Sequence, residues 1–207
     1  PRFQAFLRFK EQQRKLYQPA GLVVPYSMRA VWYKFLQSEF VSLRCGHSFT
    51  IADYNRMAGT NYTDLLRTPF PIPDSFGKPM LELWDIFLKE YYPLRLVRLK
   101  VTPELENGFR DSAKAALKDL KIANQILGTN FKSWEDFRLL PYPSDKPEDS
   151  KMLALWRNFA KALPLSAREF SSSEHAFQNF ALKKYGSVDN VNKAYGTNYK
   201  LKEEIFP

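Results

Sequence analysis

A single cysteine, Cys45, in 207 residues excludes an internal disulfide and any zinc site built on cysteines. The two histidines, His47 and His175, lie far apart and lack ligand-spaced partners, so surface or capping roles are expected and no metal site. Glycine is scarce at eight residues. No Gly-rich phosphate loop, nucleophile elbow or metal-binding helix motif occurs. The acid pairs Glu135-Asp136 and Glu203-Glu204 are adjacent, so their side chains do not face each other on a helix. They read as first-turn charges that favour the helix dipole. No catalytic residue, metal or cofactor is expected, and the chain does not read as an enzyme. No apolar run reaches the roughly 18 residues of a membrane-spanning helix, and no signal peptide is present. The expectation is a soluble domain. It opens at Pro1 without Met and closes at Phe206-Pro207 just after a recurring motif, as a piece excised from a longer protein would.

Acidic residues are rare at the front. Residues 1–50 hold 8 Lys/Arg against 2 acids, residues 51–143 hold 13 against 12, and residues 144–207 hold 10 against 8. The excess sits on an expected first helix, Arg2 to Tyr17, where basic residues stand beside Phe3, Phe6, Leu7 and Phe9. Such a helix suits either a solvated face or an anionic surface. Nucleic-acid binding is disfavoured because the charge does not extend over the rest of the chain.

What the chain has in quantity is aromatic: 17 Phe, 11 Tyr and 4 Trp. Extended pieces are confined to Leu22-Val23-Val24 and Leu94 to Leu99, so the fold class is mainly α. Gly-Thr-Asn occurs three times, each followed by an aromatic and preceded by Asn four positions before the glycine. The sets are Asn55, Gly59, Thr60, Asn61, Tyr62; Asn124, Gly128, Thr129, Asn130, Phe131; and Asn192, Gly196, Thr197, Asn198, Tyr199. The glycines lie 69 and 68 residues apart, as in three diverged copies of one unit. Nine residues before each stands an N-cap type, Thr50, Asp119 or Ser187, with apolar residues next and again three later. This spacing predicts a helix of about two turns. The glycine stops it in the left-handed conformation that a residue without Cβ enters cheaply. The Asn is expected to hydrogen-bond the loop backbone and the aromatic to fold back as a lid. An aromatic nineteen residues before each glycine (Phe40, Phe109, Phe177) is expected on a longer helix packed against the short one.

Copies two and three share more. Met80 to Lys89, containing Trp84, aligns with Met152 to Lys161, containing Trp156; Phe6-Leu7-Arg8-Phe9-Lys10 occupies that position in copy one. Thr102-Pro103-Glu104 and Ser171-Ser172-Ser173-Glu174 read as helix starts. The divisions expected are 1–73 with the basic first helix, 74–143 and 144–207, together one domain. The motif reads as a helix-stop loop that locks packing, or as a loop that contacts sugar or peptide. A helix-turn-helix is a poor reading, since that motif wants a small residue where Asn stands.

The string Phe180-Ala181-Leu182-Lys183-Lys184-Tyr185-Gly186-Ser187-Val188-Asp189-Asn190-Val191-Asn192-Lys193-Ala194-Tyr195-Gly196-Thr197-Asn198-Tyr199 resembles a segment of the large extracytoplasmic insertions of sugar-type ABC transporter permeases. Ser133-Trp134-Glu135-Asp136 in the second copy matches the tail of that segment. A similar string occurs in thermophile-type β-galactosidases, but nothing here looks like their barrel and no catalytic carboxylate carries over. The resemblance covers about twenty residues per copy. It implies a non-catalytic domain of a membrane transport protein on the extracytoplasmic (periplasmic) side of the inner membrane, contacting a solute-binding protein or carbohydrate. The alternatives are a carbohydrate-binding or carbohydrate-processing accessory domain and a nucleic-acid-binding module. Aromatics that the repeat does not require are the candidate partner contacts: Trp32, Tyr33, Tyr91, Tyr92 and Trp134.

Overall fold

Most of the described helices begin where the sequence supplies a side-chain acceptor for the unpaired amides of a first turn. The computed structural model describes residues 3–9, 27–143, 146–147 and 149–206. Residues 10–17 of the expected basic helix, and Leu22-Val23-Val24, lie outside them. The protein is mainly helical, at 63% of the described residues. In chain order the helices are α1 (residues 3–9), α2 (Met28–Leu36), α3 (Glu39–Cys45), α4 (Ile51–Ala58), α5 (Lys78–Ile86), α6 (Pro103–Leu117), α7 (Leu120–Leu127), α8 (Lys151–Ala162), α9 (Ser173–Tyr185) and α10 (Val188–Tyr195). Ser27, Ser38, Thr50, Thr102, Asp119, Ser150, Ser172 and Ser187 each accept an amide at a helix start.

The chain forms two compact units, one of residues 1–91 with 171–207 and one of residues 92–170. In the second, β1 (Val97–Leu99) pairs antiparallel with β2 (Arg168–Phe170), with Arg98 opposite Glu169. The Leu94 to Leu99 piece therefore splits into a 3₁₀ turn, Leu94–Leu96, and β1. Inside this unit α6, α7 and α8 enclose Phe109, Ala113, Ala123, Leu153, Trp156 and Ala160. In the first unit α9 and α10 pack together around Phe177, Ala181 and Val191, and α1 adds Ala5 and Phe9 to that core. A second aromatic core of the same unit joins Trp32 and Phe35 of α2 to Trp84 of α5 and to Phe87.

The compact units cut across the sequence divisions 1–73, 74–143 and 144–207. Helix α5, within 74–143, packs on α4 of 1–73; α8, within 144–207, packs on α6 and α7 of 74–143. Trp84 of α5 lies against Trp32 of α2, and Trp156 and Phe159 of α8 join the core formed with α6 and α7. Gly77 lets α5 start against α4, its amide donating to the Ala58 carbonyl at 3.1 Å.

Phe40 is a correction. It is 38% exposed, whereas Phe109 and Phe177 are buried. Gly46 ends α3 four residues before the Thr50 cap, whereas Lys118 and Gly186 immediately precede Asp119 and Ser187. The extra residues between α3 and Thr50 set α3 off by most of a turn relative to α6 and α9, so Phe40 faces outward and Val41 is buried instead.

Candidate functional site

Three loops carry the same bonding. The Asn side chain at the end of each short helix reaches forward seven residues. Asn55, Asn124 and Asn192 donate Nδ2 to the carbonyls of Tyr62, Phe131 and Tyr199 at 2.7, 2.8 and 2.8 Å. Each Oδ1 accepts the amide of the same aromatic residue at 2.8 Å. The hydroxyls of Thr60, Thr129 and Thr197 donate to that Oδ1 at 2.9, 2.8 and 2.9 Å. Gly59, Gly128 and Gly196 sit at φ of 73°, 65° and 67°, which turns the chain back over the helix end. The motif's aromatic rings are half-buried, while Asn61, Asn130 and Asn198 are exposed.

A feature absent from the sequence reading follows each loop. A 3₁₀ turn starts six residues after each glycine, at Leu65–Arg67, Trp134–Asp136 and Lys202–Glu204. A buried residue comes nine after it: Thr68, Phe137 or Ile205. The acid pairs serve these turns. Asp136 Oδ2 accepts the amides of Lys132 and Ser133, which hold its carboxyl below the usual carboxylate range. Glu204 Oε2 accepts the amides of Lys200 and Leu201. The acid eight residues after Gly128 and Gly196 was the available signal; the first loop has Arg67 there.

In the first unit, loops one and three line a cleft of about 630 Å³. Its walls include Tyr62, Asp64 and Arg67 from one side and Asn198, Tyr199 and Phe206 from the other. Tyr62 donates its hydroxyl to Glu204 Oε1 at 2.5 Å, and burial followed by this carboxylate pushes the phenol up, so it stays protonated. Glu204 is buried with both oxygens engaged, which makes it a brace of the cleft wall and not a free base. Arg29 stacks on Phe206 at 4.0 Å and donates to the Thr68 carbonyl at 3.2 Å. The wall is thus a row of aromatic faces interrupted by an exposed guanidinium, Arg67, and an exposed amide, Asn198.

Behind this wall two buried polar side chains tie chain ends together. Gln178 Nε2 donates to the carbonyls of Phe70 and Ile205 at 2.7 and 3.2 Å. Glu174 caps α2 from α9, accepting Ser27 Oγ at 2.6 Å and the Met28 amide at 3.3 Å. Neither role was readable from local spacing, because the partners lie between 27 and 147 residues away.

Two of the five candidate partner contacts are core residues. Trp32 and Tyr92 are buried, at 0% and 5% exposure, and serve packing. Trp32 stacks on Phe35 and meets Trp84 and Phe87 edge to face, and Tyr92 packs on Phe170. Tyr33 is half-buried, with its hydroxyl accepting from Arg29 Nε at 2.6 Å. Trp134 is half-buried against Phe137. Tyr91 is exposed at 44% and packs on Phe35.

His47 and His175 hold local positions: Nδ1 of His47 lies 2.9 Å from the Ser48 carbonyl, and Nδ1 of His175 lies 3.2 Å from Ser172 Oγ. Among the described residues no group of three or more His, Cys, Asp or Glu is placed to hold a metal ion. Among them, too, no helix is long and apolar enough to cross a membrane. No family model matches the chain, and neither a curated protein nor a solved structure matches it.

Proposed function

We propose that the chain is a non-catalytic binding module made of three diverged copies of one helical hairpin, working within a membrane transport protein of the sugar ABC permease kind. The observation that carries this reading is the bonding of the three Asn-braced loops. The Asn and Thr side chains of each motif hydrogen-bond within their own loop, so the motif works as a structural lock and leaves the outer faces to recognise a partner. The resemblance of Phe180 to Tyr199 to permease insertions supplies the context, on the extracytoplasmic side of the membrane, with a solute-binding protein or its sugar as the partner. The parent gene tests this directly: transmembrane segments flanking these residues are expected, and a catalytic barrel in their place would overturn it.

A second reading, a carbohydrate-binding accessory domain, is favoured by the cleft of the first unit. Sugars present apolar C–H faces that stack on rings and hydroxyls that pair with Arg and Asn, and Tyr199, Phe206, Arg67 and Asn198 offer both. Titration of the protein with maltose, lactose and cellobiose up to about 10 mM covers the affinity of a shallow site. Binding that Arg67→Ala abolishes supports this reading; no heat or fluorescence change with any of the three removes it.

A further inference from the structure

Buried rings on α2, α6 and α9 each meet, edge to face, a phenylalanine from another segment of the chain. Trp32 meets Phe87 at 5.1 Å and 69°, Phe109 meets Phe159 at 5.3 Å and 62°, and Phe177 meets Phe9 at 5.6 Å and 68°. The incoming segments share an aromatic-x-x-Phe pair: Trp84 and Phe87, Trp156 and Phe159, Phe6 and Phe9. Edge-to-face contacts at these separations are the favoured geometry of aromatic pairs. In the first two pairs the phenylalanine comes from downstream in sequence, Phe87 standing 28 residues after Gly59 and Phe159 31 after Gly128. For the third it comes from the opposite end of the chain, Phe9 standing 187 residues before Gly196.

We infer that the groove between α9 and α10 is a docking site for an aromatic-x-x-Phe helix, filled here by residues 3–9 of the same chain and able to take that segment from a second copy of the chain. The groove is apolar: Phe177, Ala181, Val191, Tyr195 and Ile205 receive Ala5 and Phe9, with Phe6 and Phe180 at its edge. Such burial is non-directional and does not record which chain supplies the helix. Sequence distance makes the exchange feasible, because α1 reaches its groove only by joining the two chain ends, whereas α5 and α8 follow the hairpins they close. A segment identical in both copies that docks on a remote groove is the arrangement that permits swapping. This inference rests on the three-hairpin reading and is independent of the transport context.

The test uses the full chain carrying Phe9→Ala and a synthetic peptide of residues 1–17. The variant is expected to melt about 5–15 °C lower than wild type, as a lost buried phenylalanine in a domain of this size implies. Adding the wild-type peptide in excess is expected to recover much of that loss, and a peptide carrying Phe9→Ala to recover none. An unchanged melting temperature would overturn the closure of the third hairpin. A lowered one that both peptides leave equally low would overturn the exchange alone. If the variant does not fold, a fluorescent wild-type peptide is mixed with wild-type protein: a rise in anisotropy reversed by unlabelled peptide supports exchange, and no rise overturns it.

Discussion

Replacing Asn124 isolates what the braced loop contributes, because its three side-chain hydrogen bonds, all at 2.8 Å, involve only the loop itself. Each such bond contributes about 0.5–1.5 kcal/mol net, and partial exposure lets water replace some of it when the partner is removed. Alanine also regains about 0.5 kcal/mol of helix propensity over asparagine. Asn124→Ala is therefore expected to lose about 1–2.5 kcal/mol. Asn124→Asp keeps the acceptor for Thr129 and Phe131 but turns a carboxylate oxygen toward the Phe131 carbonyl, in the last turn of a helix where negative charge is unfavourable. It is expected to lose at least as much at neutral pH. Its folded pKa is then raised above the ordinary value near 3.9, so the folded state binds the extra proton and the loss shrinks as pH falls through the raised pKa. The assay is urea unfolding of the full chain at two pH values, followed by circular dichroism and by tryptophan fluorescence. Both variants falling within about 0.5 kcal/mol of wild type would show that the loop is held by something else. An aspartate variant that is more stable at neutral than at acid pH, relative to wild type, would refute the electrostatic part.

Three further outcomes are expected. Gly77→Ala would set a Cβ 2.4 Å from the Met57 carbonyl oxygen, so α5 must back away from α4; a loss of about 1–3 kcal/mol is expected in urea unfolding, and none would mean that the approach is not tight. Burial opposes ionisation of Asp53, but Thr50 Oγ1 and the Arg56 guanidinium hold its carboxyl below the usual range. Its contribution is complete above about pH 4 and is lost as pH falls through the depressed pKa, so Asp53→Asn should flatten the acid limb of the stability profile. For His175, burial, helped by Lys202 and opposed by Glu174 and Glu203, pulls the imidazole down, so it is held neutral. Stability is full above about pH 6.5 and declines as pH falls toward the folded pKa; His175→Gln, measured by thermal unfolding between about pH 7 and 5, should remove that part of the slope.

The sequence by itself determined the short-range features. Thr50, Asp119 and Ser187 accept first-turn amides, and the chain turns left-handed at Gly59, Gly128 and Gly196. Caps and reversals are decided by interactions within a few residues, so the local string contains their cause. The mainly helical class follows from the same periodicity. Tertiary structure alone decided which helix each Trp-x-x-Phe face packs on, α2 for Trp84 and Phe87 and α6 for Phe159, since the face fits any groove of that shape and its sequence does not say which. Trp32 and Tyr92 illustrate the point: a ring reads alike as anchor or core until its neighbours are known, and both proved to be core. The cleft, the Tyr62–Glu204 bond and the Gln178 and Glu174 ties join residues between 25 and 147 positions apart. No local pattern carries such pairings, because what selects them is the burial of polar groups that must find partners wherever the packed chain places them.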